Sequence, residues 1–431
     1  MNPLVLSLIL FLVLMFLGMP IVFVMCVSSL SYCVFSGNYV YLMVIIEKMF
    51  RGMDSFVLLA IPMFIMCGEV MNRGGITNAI VGFADLIVGR LKGGLAYVNT
   101  LASTFFAGIT GSALSDIASL GSILIPSMEK QGYTKDFSCA VTAATAIQGP
   151  LIPPSIPAVL VASATGLSTG ALFWGGAVPG VMIGGVAAVI IFIEGFTHDF
   201  PKRTTKIPMK EAVRITLRSV LPLMTVVIIL AGMSSGKFTP TEAAAVALVY
   251  AIIITTFIYK PIPMKEMFEI LSNVLMQTAT IYLIIAGATT FSYILAIENI
   301  PAKLSTLINT YAHSQWQVLL IINIILLVWG MFMDTSPSIL VLVPILFPVA
   351  TAAGIHPIHF GVITIVNLMM GLLSPPFGMA LYTTQSVGKC SMVGLLKEVW
   401  PFIVGDLIVL FIISAFPEIV LALPRLFGMV K

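Results

Sequence analysis

Charged residues are scarce in this chain of 431 residues. Asp, Glu, Lys and Arg together make up 9% of it, and hydrophobic residues make up 59%. An ordinary soluble domain carries about 25% charged residues, so this composition excludes one. Apolar runs of 18 or more residues recur along the whole sequence, and each such run is typical of a membrane-spanning helix. The composition therefore predicts an integral membrane protein.

Several other patterns are missing, and each absence excludes a class. The strict alternation of a β-barrel is absent, so the predicted spans are helices, and the chain has room for roughly ten to twelve of them. The five cysteines form no CxxC pair, which argues against common redox and zinc motifs. HExxH and GxGD are also absent, so an intramembrane hydrolase is a remote alternative and the protein is not expected to be an enzyme.

What the sequence does contain is an internal repeat. A shift of 222 positions carries the segment 108–166 onto the segment 330–388 without a gap. Its most specific identities form a Gly-x3-Pro-Pro pattern at Gly149/Gly371, Pro153/Pro375 and Pro154/Pro376. Repeated halves with helix breaks at matching positions indicate the binding site of a transporter.

Each repeat also contains a polar turn between two apolar arms that are short for complete spans. We predict re-entrant helical hairpins at 93–128 and 316–349, each followed by a transmembrane helix that is broken at its prolines, at 136–168 and 358–388. Basic residues flank the first hairpin and are frequent within the connector 198–218. The positive-inside rule therefore places the connector and the open end of the first hairpin in the cytoplasm. The predicted fold is an all-α polytopic membrane protein with two inverted repeats.

The helix breaks predict a cation site. A proline cannot donate a helical hydrogen bond, so the prolines should free the carbonyl oxygens four residues earlier, which are those of Gly149, Pro150, Gly371 and Leu372. A bare carbonyl at membrane depth costs several kcal/mol, in order of magnitude, and Na⁺ would satisfy it. Breaks that only shape packing are the alternative.

The turns add side-chain oxygens to these carbonyls. Ser112 and Asp334 occupy matching positions of the repeat, and Asp116 is a second carboxylate in an apolar setting. An intramembrane carboxylate predicts a functional role by default. A structural role as a cap on the helix after the turn is the alternative for both carboxylates.

Five motifs resemble the large membrane subunit of TRAP (tripartite ATP-independent periplasmic) transporters. They are LLAIPMFIMCGEVMN at 58–72, NRGGI at 72–76, LKGGLAYVN at 91–99, AGITGSALSD at 107–116 and QGPLIPPSIP at 148–157. The resemblance covers essentially the whole chain. It implies a Na⁺-driven, elevator-type secondary carrier of the ion-transporter superfamily, located in the bacterial inner membrane. It also implies two partners, a separate small four-helix membrane subunit and a soluble periplasmic substrate-binding protein.

The resemblance implies site residues as well. The first expected sodium site comprises Gly108, Ser112, Gly149, Ile152 and Pro154. The second comprises Gly330, Asp334, Gly371, Ser374 and Pro376. An organic-acid substrate, such as sialic acid or a C4-dicarboxylate, is expected near Ser115, Ser155, Asp334 and Thr335. Na⁺ is the expected coupling ion, and no organic cofactor is expected.

The domain division follows from the repeat and the resemblance together. Segments 93–168 and 316–388 are expected to form the moving transport domain, and 1–92 and 169–315 the fixed scaffold, with 389–431 as a C-terminal span. A stand-alone Na⁺/carboxylate symporter with the same repeat is the close alternative. The expected surroundings are the lipid bilayer, and nucleic acid is not an expected partner. The sequence does not name the organic acid.

Overall fold

The computed structural model describes residues 2–202, 207–312 and 314–430. Residues 203–206 of the basic connector therefore lie outside the described ranges. The first half of the chain, up to the connector, contains ten α-helices and one short 3₁₀ turn: α1 (Pro3–Phe16), α2 (Ile21–Ser36), α3 (Val40–Met53), the 3₁₀ turn (Phe56–Leu59), α4 (Ala60–Arg73), α5 (Ile76–Val88), α6 (Gly94–Thr110), α7 (Ala113–Gln131), α8 (Lys135–Ala146), α9 (Ile156–Thr165) and α10 (Thr169–Thr197).

The described part of the second half adds ten more helices. They are α11 (Met209–Ser234), α12 (Pro240–Phe257), α13 (Met264–Ile297), α14 (Ile300–Tyr311), α15 (Gln315–Gly330), α16 (Thr335–Ala352), α17 (Pro357–Leu373), α18 (Met379–Gly388), α19 (Met392–Ala415) and α20 (Glu418–Leu426). Seven helices of the described chain are long and apolar enough to cross a bilayer, and α9, α15 and α17 are among the shorter apolar helices. The predicted all-α membrane fold is confirmed.

Both predicted hairpins and both predicted helix breaks are present. The helices α6 and α7 form the first hairpin, and α15 and α16 form the second. The first broken helix consists of α8 and α9, and the second consists of α17 and α18. Each break contains a cis peptide bond between its two adjacent prolines, Pro153-Pro154 and Pro375-Pro376.

The two repeats exchange half-helices. The helix α18, from the second repeat, packs against α7 of the first hairpin, and α9, from the first repeat, packs against α16 of the second hairpin. A Cβ built on Gly388 of α18 would lie 3.2 Å from Ile125 Cδ1 of α7, and Ser163 of α9 and Pro344 of α16 line the same cavity. A reciprocal contact of this kind is what a two-fold relation between inverted repeats produces.

The connector lies at the open end of the first hairpin. The amide N–H of Gly93 donates a 3.1 Å hydrogen bond to the Pro201 carbonyl, and Lys92 pairs with Lys202 in an isolated antiparallel bridge. The Phe200 ring packs on the rings of Tyr133 and Phe137, between α7 and α8. The basic connector and the open end of the first hairpin therefore share one side of the protein.

Two boundaries differ from the sequence-based expectations. The helix α11 begins at Met209, so the second half of the connector is helical, because Pro208 can precede a helix without disturbing its hydrogen bonds. The C-terminal segment contains two helices that separate at Phe416-Pro417, where proline cannot continue α19. The first apolar stretch, 3–36, likewise forms two helices, α1 and α2, which pack against each other.

Candidate functional site

The tips of both hairpins meet at one cavity of about 290 Å³. The helices α4 and α13, which lie outside the repeat, form the rest of its wall. Its polar lining comes from the first tip, the second tip and the two scaffold helices, and consists of Thr110, Ser112, Ser115, Asp334, Thr335, Ser336, Glu69, Gln277 and Thr280. Apolar side chains such as Ile65 and Ile284 complete the wall. A cavity that is mostly apolar and carries a few converging polar groups is the usual form of a small-molecule site.

The first tip is a tight turn between α6 and α7. Gly111 adopts φ 61°, a conformation that favours glycine, and a Cβ there would lie 2.5 Å from the Pro154 carbonyl oxygen. Ser112 then caps α7, since its hydroxyl accepts a 3.5 Å hydrogen bond from the Ser115 amide. The turn thus rests directly on the first helix break.

The first helix break is buried and closed by Ser155. The Ser155 hydroxyl donates a hydrogen bond to the Pro150 carbonyl and accepts one of 3.1 Å from the Ala158 amide, which caps α9. Ser155 is 1% exposed and does not line the cavity. Its role in the structure is therefore to hold the break, and contact with a substrate in the cavity would require a rearrangement.

Asp116 lies one turn after the first tip and is 1% exposed. Its Oδ1 atom accepts a hydrogen bond from the Thr110 hydroxyl. Its Oδ2 atom has no hydrogen-bond partner among the described residues, and a Cβ built on Gly149 would lie 2.5 Å from it. The carboxylate thus fills the space that the missing side chain of Gly149 leaves.

The second tip places a carboxylate at the cavity itself. Asp334 precedes α16 as its N-cap residue, and its side chain makes no capping hydrogen bond. The next residue, Thr335, is 4% exposed, and its hydroxyl has no hydrogen-bond partner among the described residues. Buried polar groups are normally paired, so this hydroxyl is available to a ligand.

The second helix break is built on a contact between two glycines. The Gly330 and Gly371 backbones touch, and a Cβ on Gly371 would lie 2.5 Å from the Gly330 carbonyl carbon. Ser374 closes the end of α17, because its hydroxyl donates a 2.8 Å hydrogen bond to the Met370 carbonyl. The prolines that follow, Pro375 and Pro376, are exposed on the surface of the described chain.

The prediction of free carbonyl oxygens is wrong for two of the four. Pro150 accepts from the Ser155 hydroxyl, and Gly371 accepts a 3.0 Å hydrogen bond from the Ser374 amide. The last carbonyl groups of a helix have no partner within the helix, so they accept hydrogen bonds from the nearest donors downstream. A carbonyl oxygen has two lone pairs, so both atoms keep one acceptor position.

Four of the predicted site residues line the cavity, and the other predicted residues do not. Ser112, Ser115, Asp334 and Thr335 line it. The remaining predicted residues are the backbone positions and serines of the two hairpin–break junctions, namely Gly108, Gly149, Ile152, Pro154, Ser155, Gly330, Gly371, Ser374 and Pro376. A Cβ on Gly108 would lie 3.4 Å from the Pro153 carbonyl oxygen, so the first tip and the first break are in contact as predicted.

Three polar residues of the cavity wall escaped prediction because they lie outside the repeat. Glu69 projects from α4, and Gln277 and Thr280 project from α13. Glu69 is preceded by an apolar run, and a polar residue inside an apolar span indicates a functional site by default. That signal is present for Glu69, whereas Gln277 lies in a stretch of α13 that contains several other polar residues.

Comparison with known proteins identifies the family. Residues 8–419 match the family model described as "Tripartite ATP-independent periplasmic transporter, DctM component". The chain belongs to the DctM family of TRAP transporter large permeases.

Its relatives cover nearly the whole length of this TRAP permease. The sialic acid TRAP transporter large permease protein SiaM of Vibrio cholerae is 40% identical over 414 residues, which are 96% of each chain. The C4-dicarboxylate TRAP transporter large permease protein DctM of Pseudomonas aeruginosa is 37% identical over 382 residues, 89% of each chain. These relatives are transporter permeases and not enzymes, and the apolar helices agree with a multi-pass membrane protein.

A solved structure supports the fold of this TRAP permease. The Alcanivorax borkumensis YdaH transporter superposes with a TM-score of 0.60, and the match covers 88% of this chain and 90% of YdaH. At 14% sequence identity the likeness concerns the fold alone. The resemblance that the five motifs predicted is confirmed at the level of the family.

Proposed function

We propose that this chain is the large permease subunit of a Na⁺-coupled importer of a small organic acid in the bacterial inner membrane. A small membrane subunit would accompany it, and a periplasmic binding protein would deliver the substrate. The transport domain would move as an elevator against the scaffold. One observation carries the proposal: the tips of two hairpins and the helices α4 and α13 line one cavity that contains hydroxyl, carboxylate and amide groups.

The chemistry of the cavity suits a hydroxylated carboxylic acid. Ser115 of the first tip and Thr335 and Ser336 of the second tip line it and contribute hydroxyl groups. The unpartnered hydroxyl of Thr335 offers both a donor and an acceptor to a ligand. Helix N-termini favour an anionic group, and α7 and α16 both begin at this cavity.

The oxygen atoms behind the tips suit sodium. Na⁺ is a hard cation, and the two proposed sites offer main-chain carbonyls together with the Ser112 hydroxyl and the Asp334 carboxylate. The backbone atoms of Gly108, Gly149, Ile152 and Pro154 would complete the first site. Those of Gly330, Gly371, Ser374 and Pro376 would complete the second.

A bound cation would explain how transport of the organic acid depends on Na⁺. Na⁺ would neutralise the Asp334 carboxylate beside the cavity and so lower the cost of bringing an anionic acid next to it. An acid without Na⁺ would meet two unneutralised carboxylates, Asp334 and Glu69. The coupling of Na⁺ binding to substrate binding would therefore arise from electrostatic interactions at this one cavity.

The test is uptake of a panel of labelled organic acids into proteoliposomes. The panel includes N-acetylneuraminate and succinate, and the permease is reconstituted with the small membrane subunit and the binding protein encoded beside it. We expect uptake of one acid that rises with an inward Na⁺ gradient and stops when choline replaces Na⁺. Equal uptake in both salts would overturn the coupling. A third preparation without the partner subunits separates the tripartite importer from a stand-alone symporter.

A further inference from the structure

Two more cavities lie beyond the central one along the same helix, α13. They measure about 270 and 290 Å³ and share Thr289, Ser292 and Pro344 in their walls, so they adjoin. The face of α13 connects all three: Ile284 lines the central cavity, Ala288 the middle cavity and Ala296 the outer cavity. Twelve residues of helix correspond to about 18 Å, which is half a membrane thickness in order of magnitude.

The opposite wall follows the second hairpin in the same direction. Ser336 at the start of α16 lines the central cavity, Leu340 the middle one and Pro344 both the middle and the outer one. Because α16 runs from the tip to the open end of its hairpin, the three cavities follow one another from the central cavity towards that side. The connector lies at the open end of the other hairpin, where Gly93 bonds to Pro201.

Two basic residues of α3 stand along this path. Lys48 lines the outer cavity, and Arg51, about one turn further along, lines the middle cavity. Lys48 is half-buried, its Nζ lies 5.3 Å from the centre of the Tyr293 ring, and it forms no ion pair within the described ranges. Arg51 contacts Glu47 at 2.8 Å in an exposed pair, so its charge is partly offset and Lys48 is the main source of positive charge at these cavities.

The remaining polar lining is made of hydroxyls. Ser55 and Ser163 line the middle cavity, and Thr289 and Ser292 line both. No carboxylate lines either cavity within the described chain. Cations in a cleft with apolar walls concentrate anions, because the low dielectric surroundings focus the field. The central cavity, in contrast, contains Glu69 and Asp334 and does not attract an anion by charge alone.

We propose that Lys48 and Arg51 form an anion-receiving vestibule on the side of the second hairpin's open end. The carboxylate of a small hydroxylated acid would rest there before it moves along α13 to the central cavity. The proposal extends the function proposed above, since it assigns a second, weaker subsite to the same organic acid. The pair also lies on the side where the positive-inside rule predicts few basic residues, so a purely topological role does not account for it.

A thiol-modification experiment tests the vestibule without transport. Ser55→Cys, in the full chain in membrane vesicles, is treated with an anionic (sulfonatoethyl) and a cationic (trimethylammonioethyl) methanethiosulfonate of similar size. We expect the ratio of anionic to cationic reaction rates to fall about fivefold when Lys48→Gln and Arg51→Gln are added. The parent chain without Ser55→Cys measures background from the native cysteines. An unchanged ratio would overturn the proposal, and so would a thiol that reacts with neither reagent, since a vestibule must be open to water.

Uptake kinetics then connect the vestibule to transport. In the reconstituted importer, the double variant is expected to raise the substrate concentration for half-maximal uptake about fivefold with the maximal rate within twofold of wild type. Lys48→Arg should behave as wild type. Lys303→Gln is the matched control, because Lys303 is a basic residue outside these cavities that pairs with Glu298 at 3.8 Å. Wild-type uptake with no change in the double variant would refute the vestibule. A wild type that takes up none of the acids would refute the proposed function, and the thiol ratio would still decide the vestibule.

Discussion

The two repeats place different atoms over matching glycines. In the first, the space above Gly149 is filled by the Asp116 carboxylate, and in the second, the space above Gly371 is filled by the Gly330 backbone. The carboxylate also occupies a different position in each repeat. Ser112 and Asp116 of the first tip correspond to Asp334 and Ser338 of the second. The symmetry therefore belongs to the backbone, and each half has its own charge arrangement.

Because of this difference, Asp116 and Asp334 have different environments. Asp116 is enclosed between its own tip and its own break, where Thr110 donates to it. Asp334 faces the shared cavity without a capping bond. A ligand in the cavity can therefore reach Asp334, whereas Asp116 does not line the cavity. The comparison predicts that the functional acid is the one in the second repeat.

Replacement of each acid by its amide tests that assignment and should give the largest effect. Asp334→Asn removes the negative charge from the proposed sodium site, so we expect a loss of Na⁺-driven uptake of about a hundredfold. Asp116→Asn should lower uptake far less, since its carboxylate does not line the cavity. Uptake into proteoliposomes at a series of Na⁺ concentrations measures both. Equal losses in the two variants would contradict the comparison.

The glycines give the next largest effect. Gly371→Ala puts a Cβ 2.5 Å from backbone, which cannot rotate away, whereas Gly149→Ala meets the side chain of Asp116. Overpacking of this kind costs about 1–3 kcal/mol. Thermal unfolding in detergent, followed by tryptophan fluorescence, should show the larger loss for Gly371→Ala.

A double-variant cycle makes the same comparison sharper. Asp116→Ser shortens the side chain that opposes Gly149, so Gly149→Ala should cost less in that background. The matched background in the second repeat, Ser338→Ala, should not rescue Gly371→Ala, because the obstacle there is the Gly330 backbone. Rescue in both repeats, or in neither, would show that the two junctions are alike.

The sequence predicted the fold because its strongest signals are local. The Gly-x3-Pro-Pro segments interrupt their helices in both repeats, and apolar runs of span length enter the membrane, so the hairpins and breaks could be located without coordinates. The repeat also predicted that both tips belong to one site. The partners of the broken-helix carbonyls could not be predicted, since Ser155 and Ser374 reach back to them through turns whose geometry depends on the whole junction.

The scaffold's share of the cavity was missed for a different physical reason. Glu69 and Gln277 reach the cavity because α4 and α13 pack beside the tips, and that packing joins parts of the chain about 200 residues apart. A single sequence contains no signal for such a contact. Its only trace is the isolated polar residue in an apolar span.

The hydrogen bonds of the two tips should give smaller effects. Thr110→Val removes the donor to the buried Asp116 carboxylate and should cost about 1–3 kcal/mol, because a charged acceptor is left unsatisfied. Ser338→Ala, at the tip of the second repeat, removes a 2.7 Å bond to the Asp334 carbonyl and should cost about 0.5–1.5 kcal/mol. Thr110→Ser keeps the donor and is the control. A greater loss for Ser338→Ala in thermal unfolding would reverse the assignment of the structural acid.

Thr335→Val should have the smallest effect on stability and a clear effect on binding. The Thr335 hydroxyl has no hydrogen-bond partner among the described residues, so a change to the isosteric valine breaks no bond within the protein. A hydrogen bond to the substrate is worth about 0.5–1.5 kcal/mol, so the substrate concentration for half-maximal uptake should rise about three- to tenfold. Ser115→Ala is the matched change on the first tip, because it also removes a hydroxyl from a residue that lines the cavity. If Thr335→Val lowers the unfolding temperature while half-maximal uptake stays constant, the hydroxyl serves the protein, and the substrate is bound by other groups of the cavity.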